Sequence, residues 1–383
     1  MVPVEIFLLQ NAALYDSLSL VRERIKMKPI LATMLSISGT ELTDAEKHLL
    51  EKANPMGITL FKRNICNKKQ VKALVNSVKE VVGRENVLIA VDQEGGRVCR
   101  FAPPKWPEYI SQYALGALKG REGEEITHLH GVLIAEELRK LGINWNYSPV
   151  LDVLYPDTTS ALSSRIFSSD EKIVAARGKI LLNAYLKNGI CPCIKHMPGH
   201  GRAVVDPHLN LPILTQGLKD LEKDFYPFHA VASLAPAGMT AHIVIPEVDS
   251  RPVTQSKKAI KEIIRGRIGF QGFLISDAID MKALSGTLTD RVQTSLDAGC
   301  DAVCYCFGIE EELYEVIRAA RPLTDKALER FAKISEIIAQ KPVKFDKKEM
   351  YVRYEKLAKK TQNLRTDYDA VEVLHKMKGQ KCK

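Results

Sequence analysis

No stretch of the 383 residues approaches the eighteen or so consecutive apolar residues that a bilayer-spanning helix needs, so no membrane span is expected. The first residues, "MVPVEIFLLQNAALYDSL", carry no basic leader, and Gln, Asn, Tyr and Asp quickly interrupt the apolar "IFLL". A secretory signal is therefore not expected, and a cytoplasmic location is. The eight cysteines never form C-x-x-C: the close pairs are Cys191-Pro-Cys193 and Cys304-Tyr-Cys306, which removes zinc-ribbon and thioredoxin-type chemistry. Five of the eight lie in or beside apolar runs, where reduced thiols act as small hydrophobes. There is no G-x-G-x-x-G and no G-x-x-x-x-G-K-[ST], and so no nucleotide-phosphate loop. Low-complexity tracts are absent too, and the composition, 45% hydrophobic and 26% charged, is that of a folded globular chain.

The net charge of +9 is unevenly placed. Residues 341–383 hold thirteen Lys/Arg against six Asp/Glu, which leaves the rest of the chain near neutrality. That pattern describes a basic, partly helical tail with a solvated surface. It lacks the aromatic-interleaved groove of a nucleic-acid reader, and no specific nucleic-acid partner is expected.

What the sequence does contain is a repeat of apolar runs and helical patterns. Eight short β-rich runs, at 30–37, 57–61, 87–93, 143–153, 190–196, 238–245, 273–280 and 301–307, are each followed by a helical pattern. In the second helix Val71, Leu74, Val75, Val78 and Val81 recur at helical spacing. Continuously apolar strands are those buried on both faces. Eight β-α units in roughly 300 residues predict a (β/α)8 TIM-type barrel of class α/β, with a doubly wound open sheet as the alternative. A further helix near 324–340 closes the barrel region. The expected organisation is an N-terminal extension over 1–27, one catalytic domain over 28–340 and the basic tail over 341–383.

In such a barrel the active site lies at the carboxyl ends of the strands. Ionisable residues fall there repeatedly. "DQEGGRVCR" (92–100) follows the third strand, and Asp152 is expected at the end of the fourth, with Arg165 in the loop beyond. "KHMPGHG" (195–201) follows the fifth, His242 is expected within the sixth, and "SDAIDM" (276–281) ends the seventh. Charges are costly inside buried strands, so their gathering at one face marks a pocket. His196 and His200 are four apart, as in the zinc motif H-E-x-x-H. That motif needs a helix, which Pro198-Gly199 opposes, and no Glu follows the first His. No metal is expected. Gly95-Gly96 is expected to form a tight turn that lets Asp92, Arg97 and Arg100 project differently.

Taken together, "DQEGGRVCR", "NYSPVLDV", "SSRIF", "KHMPGHG....DPH" and "LISDAIDM" resemble the family 3 glycoside hydrolases. Within that family they most resemble the single-domain bacterial β-N-acetylglucosaminidases (β-hexosaminidases) of peptidoglycan recycling. The likeness runs from about Lys28 to Gln340. It implies a retaining glycosidase without cofactor or metal, in which Asp277 is the nucleophile. His208 would be the acid/base and Asp206 its orienting partner. Asp92, Arg100, Arg165, Lys195 and His196 would bind the N-acetylglucosamine ring. The implied substrate is a muropeptide fragment, N-acetylglucosamine linked to 1,6-anhydro-N-acetylmuramic acid, and a monomer is favoured. The residue types suit this chemistry. A carboxylate can trap an oxocarbenium-like centre, and a histidine can give and retake a proton near neutral pH.

Four positions depart from the family pattern: Met197 stands for Phe, Arg202 for an acidic residue, Pro207 for Ser, and Ala278 for an acidic or bulky residue. Arg202 would bring a cation near the acid/base. His200 is expected either to shape its loop or to touch substrate, and Asp152 and His242 to support the barrel. The alternatives are a β-glucosidase or β-xylosidase of the same superfamily, and an N-acetylglucosaminide phosphorylase, since an imidazole would not repel phosphate. A non-enzymatic sugar-binding barrel is a further alternative.

Overall fold

The computed structural model describes residues 28–207 and 210–364. The expected N-terminal extension, His208 and the tail from residue 365 lie outside the described residues.

Eight parallel strands form a closed barrel: β1 (Leu31–Ser36), β2 (Pro55–Leu60), β3 (Leu88–Val91), β4 (Trp145–Asn146), β5 (Cys191–Met197), β6 (Ala237–Thr240), β7 (Phe273–Ala278) and β8 (Ala302–Cys304). Each strand pairs with its sequence neighbours, and β1 pairs with β8 through Thr33 opposite Val303 and Met34 opposite Cys304. That closure excludes the open doubly wound sheet. Helices α1 (Asp44–Ala53), α2 (Lys68–Val82), α3 (Gly120–Lys140), α4 (Glu171–Leu186) and α5 (Leu218–Val231) follow the first five strands. After β6 comes α6 (Lys257–Ala259), which runs on through a wider-turned segment, Ile260–Arg267. Then come α7 (Leu288–Ala298), α8 (Glu310–Ala319) and α9 (Asp325–Ile338).

Local chemistry sets the helix boundaries. Thr43 and Glu46 form a reciprocal capping box on α1, with Glu46 N donating to Thr43 Oγ1 at 3.1 Å and Thr43 N to Glu46 Oε2 at 2.9 Å. In α2, Val71, Leu74, Val75 and Val78 are buried against the barrel, the stripe that the spacing predicts. Full burial of each such aliphatic is worth about 1.5–3 kcal/mol. At the barrel centre the rings of Trp145 and Phe273 meet edge-on at 6.3 Å, and those of Trp145 and Tyr147 lie 5.8 Å apart.

Strands β3, β4, β6 and β8 are shorter than the apolar runs suggest, and for β4 and β6 the backbone shows why. Strand β4 has only two residues because Pro149 offers no amide to the ladder. The chain rejoins β5 beyond it, Leu151 N donating to Lys195 O at 2.7 Å. Asp152 therefore lies in an irregular segment well past the strand. Strand β6 ends at Thr240 because the backbone beyond it turns to the loop after β5: Val244 N donates to Pro212 O at 2.9 Å and Leu214 N to Val244 O at 2.8 Å. His242, expected inside the strand, follows it instead and is buried there.

Within the stretch whose charge count suggests a solvated tail, helix α10 (Lys347–Ala358) docks along α3. It buries Tyr354 and Leu357, and Arg353 holds Glu125 in a two-toothed ion pair with both distances 2.6 Å. Among the described residues no helix is long and apolar enough to cross a membrane.

Candidate active site

The site is assembled by strand ends. Just beyond β3, Asp92 is followed by a short hairpin, Gln93–Gly95 against Val98–Cys99, turned through Gly95 (φ 99°) and Gly96 (φ 60°). Those positive φ values are ones only glycine adopts without strain. The hairpin returns the chain so that Arg100 reaches Asp92. Strand β5 supplies Lys195 and His196, the loop after β4 supplies Arg165, and β7 supplies Asp277. These six side chains line one pocket at the barrel mouth, with Tyr147, Met239 and Phe307 among its apolar walls.

Glu94, which the sequence reading passes over, ties this set together. Its carboxylate takes two bonds from Arg165, Nε to Oε2 at 2.8 Å and Nη2 to Oε1 at 2.7 Å. Lys195 Nζ lies 2.6 Å from Glu94 Oε1 and 2.7 Å from Asp92 Oδ1. Arg100 Nη2 lies 3.2 Å from Asp92 Oδ2. The side chains of Glu94 and Lys195 are only 1% and 2% exposed, so these pairs are nearly free of solvent screening. Burial alone would raise the Glu94 carboxyl, but Arg165 and Lys195 outweigh it and hold its pKa at about 2. Asp92 is likewise held far below the usual carboxylate range: burial opposes ionisation, and Lys195 and Arg100 overcome it. The network fixes the direction of Lys195. An ammonium has three donors, and two are spent on Asp92 and Glu94, which leaves one for a hydroxyl in the pocket.

A second network positions the histidines. His196 Nδ1 donates to Asp152 Oδ2 at 2.8 Å, while the backbone amide of His200 donates to Asp152 Oδ1 at 2.6 Å. This leaves His196 Nε2 as the acceptor facing Arg165 Nη2 at 3.4 Å. His200 is buried beside it, rings 5.9 Å apart, and neither of its ring nitrogens has a hydrogen-bond partner among the described residues. Burial lowers its pKa to about 4. Gly201 must be glycine, because a Cβ there would meet the Val153 carbonyl oxygen at 1.7 Å. His242 Nε2 donates to Ala278 O at 2.9 Å and so braces the end of β7 beside Asp277. Among the described residues no three His, Cys, Asp or Glu side chains are grouped to hold a metal ion.

The expected acid/base loop is only partly described. Asp206 is half-buried and does not line the pocket, and His208 lies outside the described residues. The segment is tied to the loop after β7, where Ala283 N donates to Pro207 O at 3.1 Å. Arg202 is engaged elsewhere: its Nε donates to Asp224 Oδ2 at 2.7 Å and its guanidinium lies over the Tyr155 ring at 4.2 Å.

A barrel with this arrangement at its mouth has close counterparts among known carbohydrate-cleaving enzymes. Residues 24–334 match the family described as "Glycosyl hydrolase family 3 N terminal domain". The chain is 34% identical over 302 residues to a beta-hexosaminidase of Bordetella avium, covering 76% of this chain and 86% of that protein. A beta-hexosaminidase of Stenotrophomonas maltophilia is 36% identical over 292 residues, covering 74% and 86%. The solved structure of NagZ from Neisseria gonorrhoeae with N-trifluoroacetyl-D-glucosamine superposes with a TM-score of 0.77 at 29% identity, covering 86% of this chain and 98% of that one. The chain belongs to glycosyl hydrolase family 3. Within that family it is a glycoside hydrolase of the beta-hexosaminidase type.

Proposed function

We propose that this enzyme is a cytoplasmic, retaining exo-β-N-acetylglucosaminidase that releases terminal N-acetylglucosamine from muropeptide fragments. The observation that carries the reading is the meeting of Asp277, on β7, with Asp92, Arg100, Arg165, Lys195 and His196 in one pocket. Asp277 attacks the anomeric carbon from one face and forms a covalent glycosyl-enzyme. His208 donates a proton to the departing oxygen and later takes one from the water that releases the sugar. Asp206 orients the imidazole and stabilises its protonated form. Lys195, Arg100 and Arg165 hold the ring hydroxyls, while Asp92 accepts from them. The likeness to beta-hexosaminidases and to a NagZ solved with an N-acylated glucosamine supports the choice of sugar. In this reading the chain has three functional parts: the extension 1–27, the barrel 28–340 and the tail 341–383.

The test compares aryl N-acetyl-β-glucosaminide with aryl β-glucoside, each with and without phosphate, and follows the anomer by NMR. We expect N-acetylglucosaminide cleavage with retained configuration and no need for phosphate. Preference for the glucoside, or rates that rise with phosphate, would replace the reading by one of the two enzymatic alternatives.

A further inference from the structure

The two Cys-x-Cys pairs of the sequence have different surroundings. Cys191 and Cys193 are buried in β5, and neither lines the sugar pocket. Cys304, the last residue of β8, and Cys306, two positions beyond, both line it. Their sulfurs lie 3.6 Å apart. Cys304 is 1% exposed, whereas Cys306 is partly open. The backbone of this pair braces the segment that carries Asp277. Cys304 N donates to Ser276 Oγ at 3.0 Å, Ile279 N to Cys304 O at 2.9 Å, and Cys306 N to Asp280 Oδ1 at 3.3 Å. Cys304 Sγ also lies 3.8 Å from the hydroxyl of Tyr147, another wall of the pocket.

We propose that Cys304 and Cys306 form a reversible disulfide under a hydroperoxide, and that this modification lowers turnover at the adjacent site. The link itself stands on the geometry of the two thiols, while its effect on turnover rests on the glycosidase reading above. Disulfides in reducing compartments are typically transient and redox-sensing, which suits a pair at the edge of a pocket. The sulfur of Cys306, the more open of the two, attacks one peroxide oxygen as the thiolate. The O–O bond breaks, and hydroxide leaves as water with the proton that the thiol had shed. The sulfur is oxidised to the sulfenic acid and the peroxide is reduced. Cys304 Sγ then attacks Cys306 Sγ: the S–S bond forms, the S–O bond breaks, and a second water carries off the Cys304 proton. Two thiols and one hydrogen peroxide thus give one disulfide and two waters. The second step is intramolecular, because the partner sulfur is already in contact. Bonded sulfurs sit about 2 Å apart, so the pair must draw in from its present distance. That movement pulls on the bonds to Ser276 and Ile279, which lie on either side of Asp277. The hydrogen-bonding contact with Cys304, and then burial, push the Cys306 thiol well above its ordinary value. Little thiolate forms near neutrality, and the first step quickens as pH rises.

The experiment treats the full chain with hydrogen peroxide, blocks the remaining thiols with iodoacetamide under denaturing conditions, and reads both mass and turnover. Trypsin releases residues 292–318 as one peptide, which holds Cys300, Cys304 and Cys306. After oxidation that peptide should lack two hydrogens and carry one alkyl group, at Cys300. Turnover of an aryl N-acetylglucosaminide should fall by about ten- to a hundredfold, the cost of a site displaced by about an ångström. Dithiothreitol should restore it. That reversal separates the disulfide from oxidation of Met239 and Met281, which also line the pocket and whose sulfoxides dithiothreitol leaves in place. Cys306→Ala, measured against its own untreated rate, should lose the sensitivity to peroxide. Cys66→Ala, at an exposed thiol outside the pocket, should keep it. Absence of the Cys304–Cys306 link in the wild type overturns the proposal. So does a link that leaves turnover unchanged, or a Cys306→Ala variant as sensitive as wild type. If untreated wild type cleaves no aryl N-acetylglucosaminide, the glycosidase reading fails instead, and the mass still decides the link.

Discussion

The backbone amide of Ala283 donates to the carbonyl of Pro207 at 3.1 Å, tying the loop after β5 to the loop that follows Asp277 on β7. The residue next to the proposed acid/base is thus anchored a few positions beyond the proposed nucleophile. Two loops that must cooperate across a sugar are joined by a hydrogen bond midway along each. If Asp277 is the nucleophile, Asp277→Ala should cost about 10³-fold or more in kcat on an aryl N-acetylglucosaminide. The circular-dichroism melt should change little, since the side chain is only half-buried. Near wild-type turnover in that variant would reject the assignment.

Removing the imidazole should have a leaving-group signature. His208→Ala should cost about 10²–10⁴-fold on the natural disaccharide, whose departing oxygen needs a proton. An activated aryl substrate, which leaves as a stable anion, should lose far less. Loss of equal size on both would speak against proton transfer by His208.

Glu94 is the stability hinge of the pocket. Glu94→Gln keeps the shape but leaves Arg165 and Lys195 with less compensating charge in a dry site. Breaking one partner of a buried ion pair typically costs about 3–5 kcal/mol. We expect a loss near the lower end, read by urea unfolding, together with a higher KM as Lys195 and Arg165 lose their fixed directions. A variant as stable as wild type, with unchanged KM, would show that Glu94 does not organise the cations.

These outcomes bear on what the sequence could reveal. Strands β1, β2, β3, β5 and β7 were legible because each is mainly apolar up to the polar residues at its carboxyl end, and the capped, periodic helices between them confirm the repeat. The length of β4 was not, because tyrosine, proline and apolar residues continue the run after the ladder has ended. His242 was misplaced for a related reason: its neighbours look like strand, but their backbone bonds go to Pro212 and Leu214. Glu94 had a readable signal, since a carboxylate set between a buried strand and a glycine turn needs a partner, and two distant cations supply it. The docking of α10 was hidden by its lysines. The i, i+3 pair Tyr354 and Leu357 was the clue, and only the packing against α3 gives it meaning.

The buried histidines set the acid limit of stability. His130 and His200 are each shifted from an ordinary 6.5 down to about 4, chiefly by burial. For His130 the Glu94 carbonyl opposes the shift in part, and for His200 Asp152 does. Between pH 6.5 and 4 the unfolded chain protonates both rings while the native protein protonates neither. The unfolded state then binds more protons, so stability rises with pH in this window and falls as the medium is acidified. Two such groups give a slope of at most about 2.7 kcal/mol per pH unit. The depressed carboxylates Asp92, Glu94 and Asp152 act lower, their contribution fading only as pH falls below the usual carboxylate range. Urea unfolding from pH 7 to 4.5 should therefore lose stability before the carboxylates titrate. His200→Leu should roughly halve the slope at little cost at pH 7, because the imidazole nitrogens make no hydrogen bond among the described residues. A slope unchanged in that variant would mean that His200 is already protonated in the native protein, or that its ring is solvated.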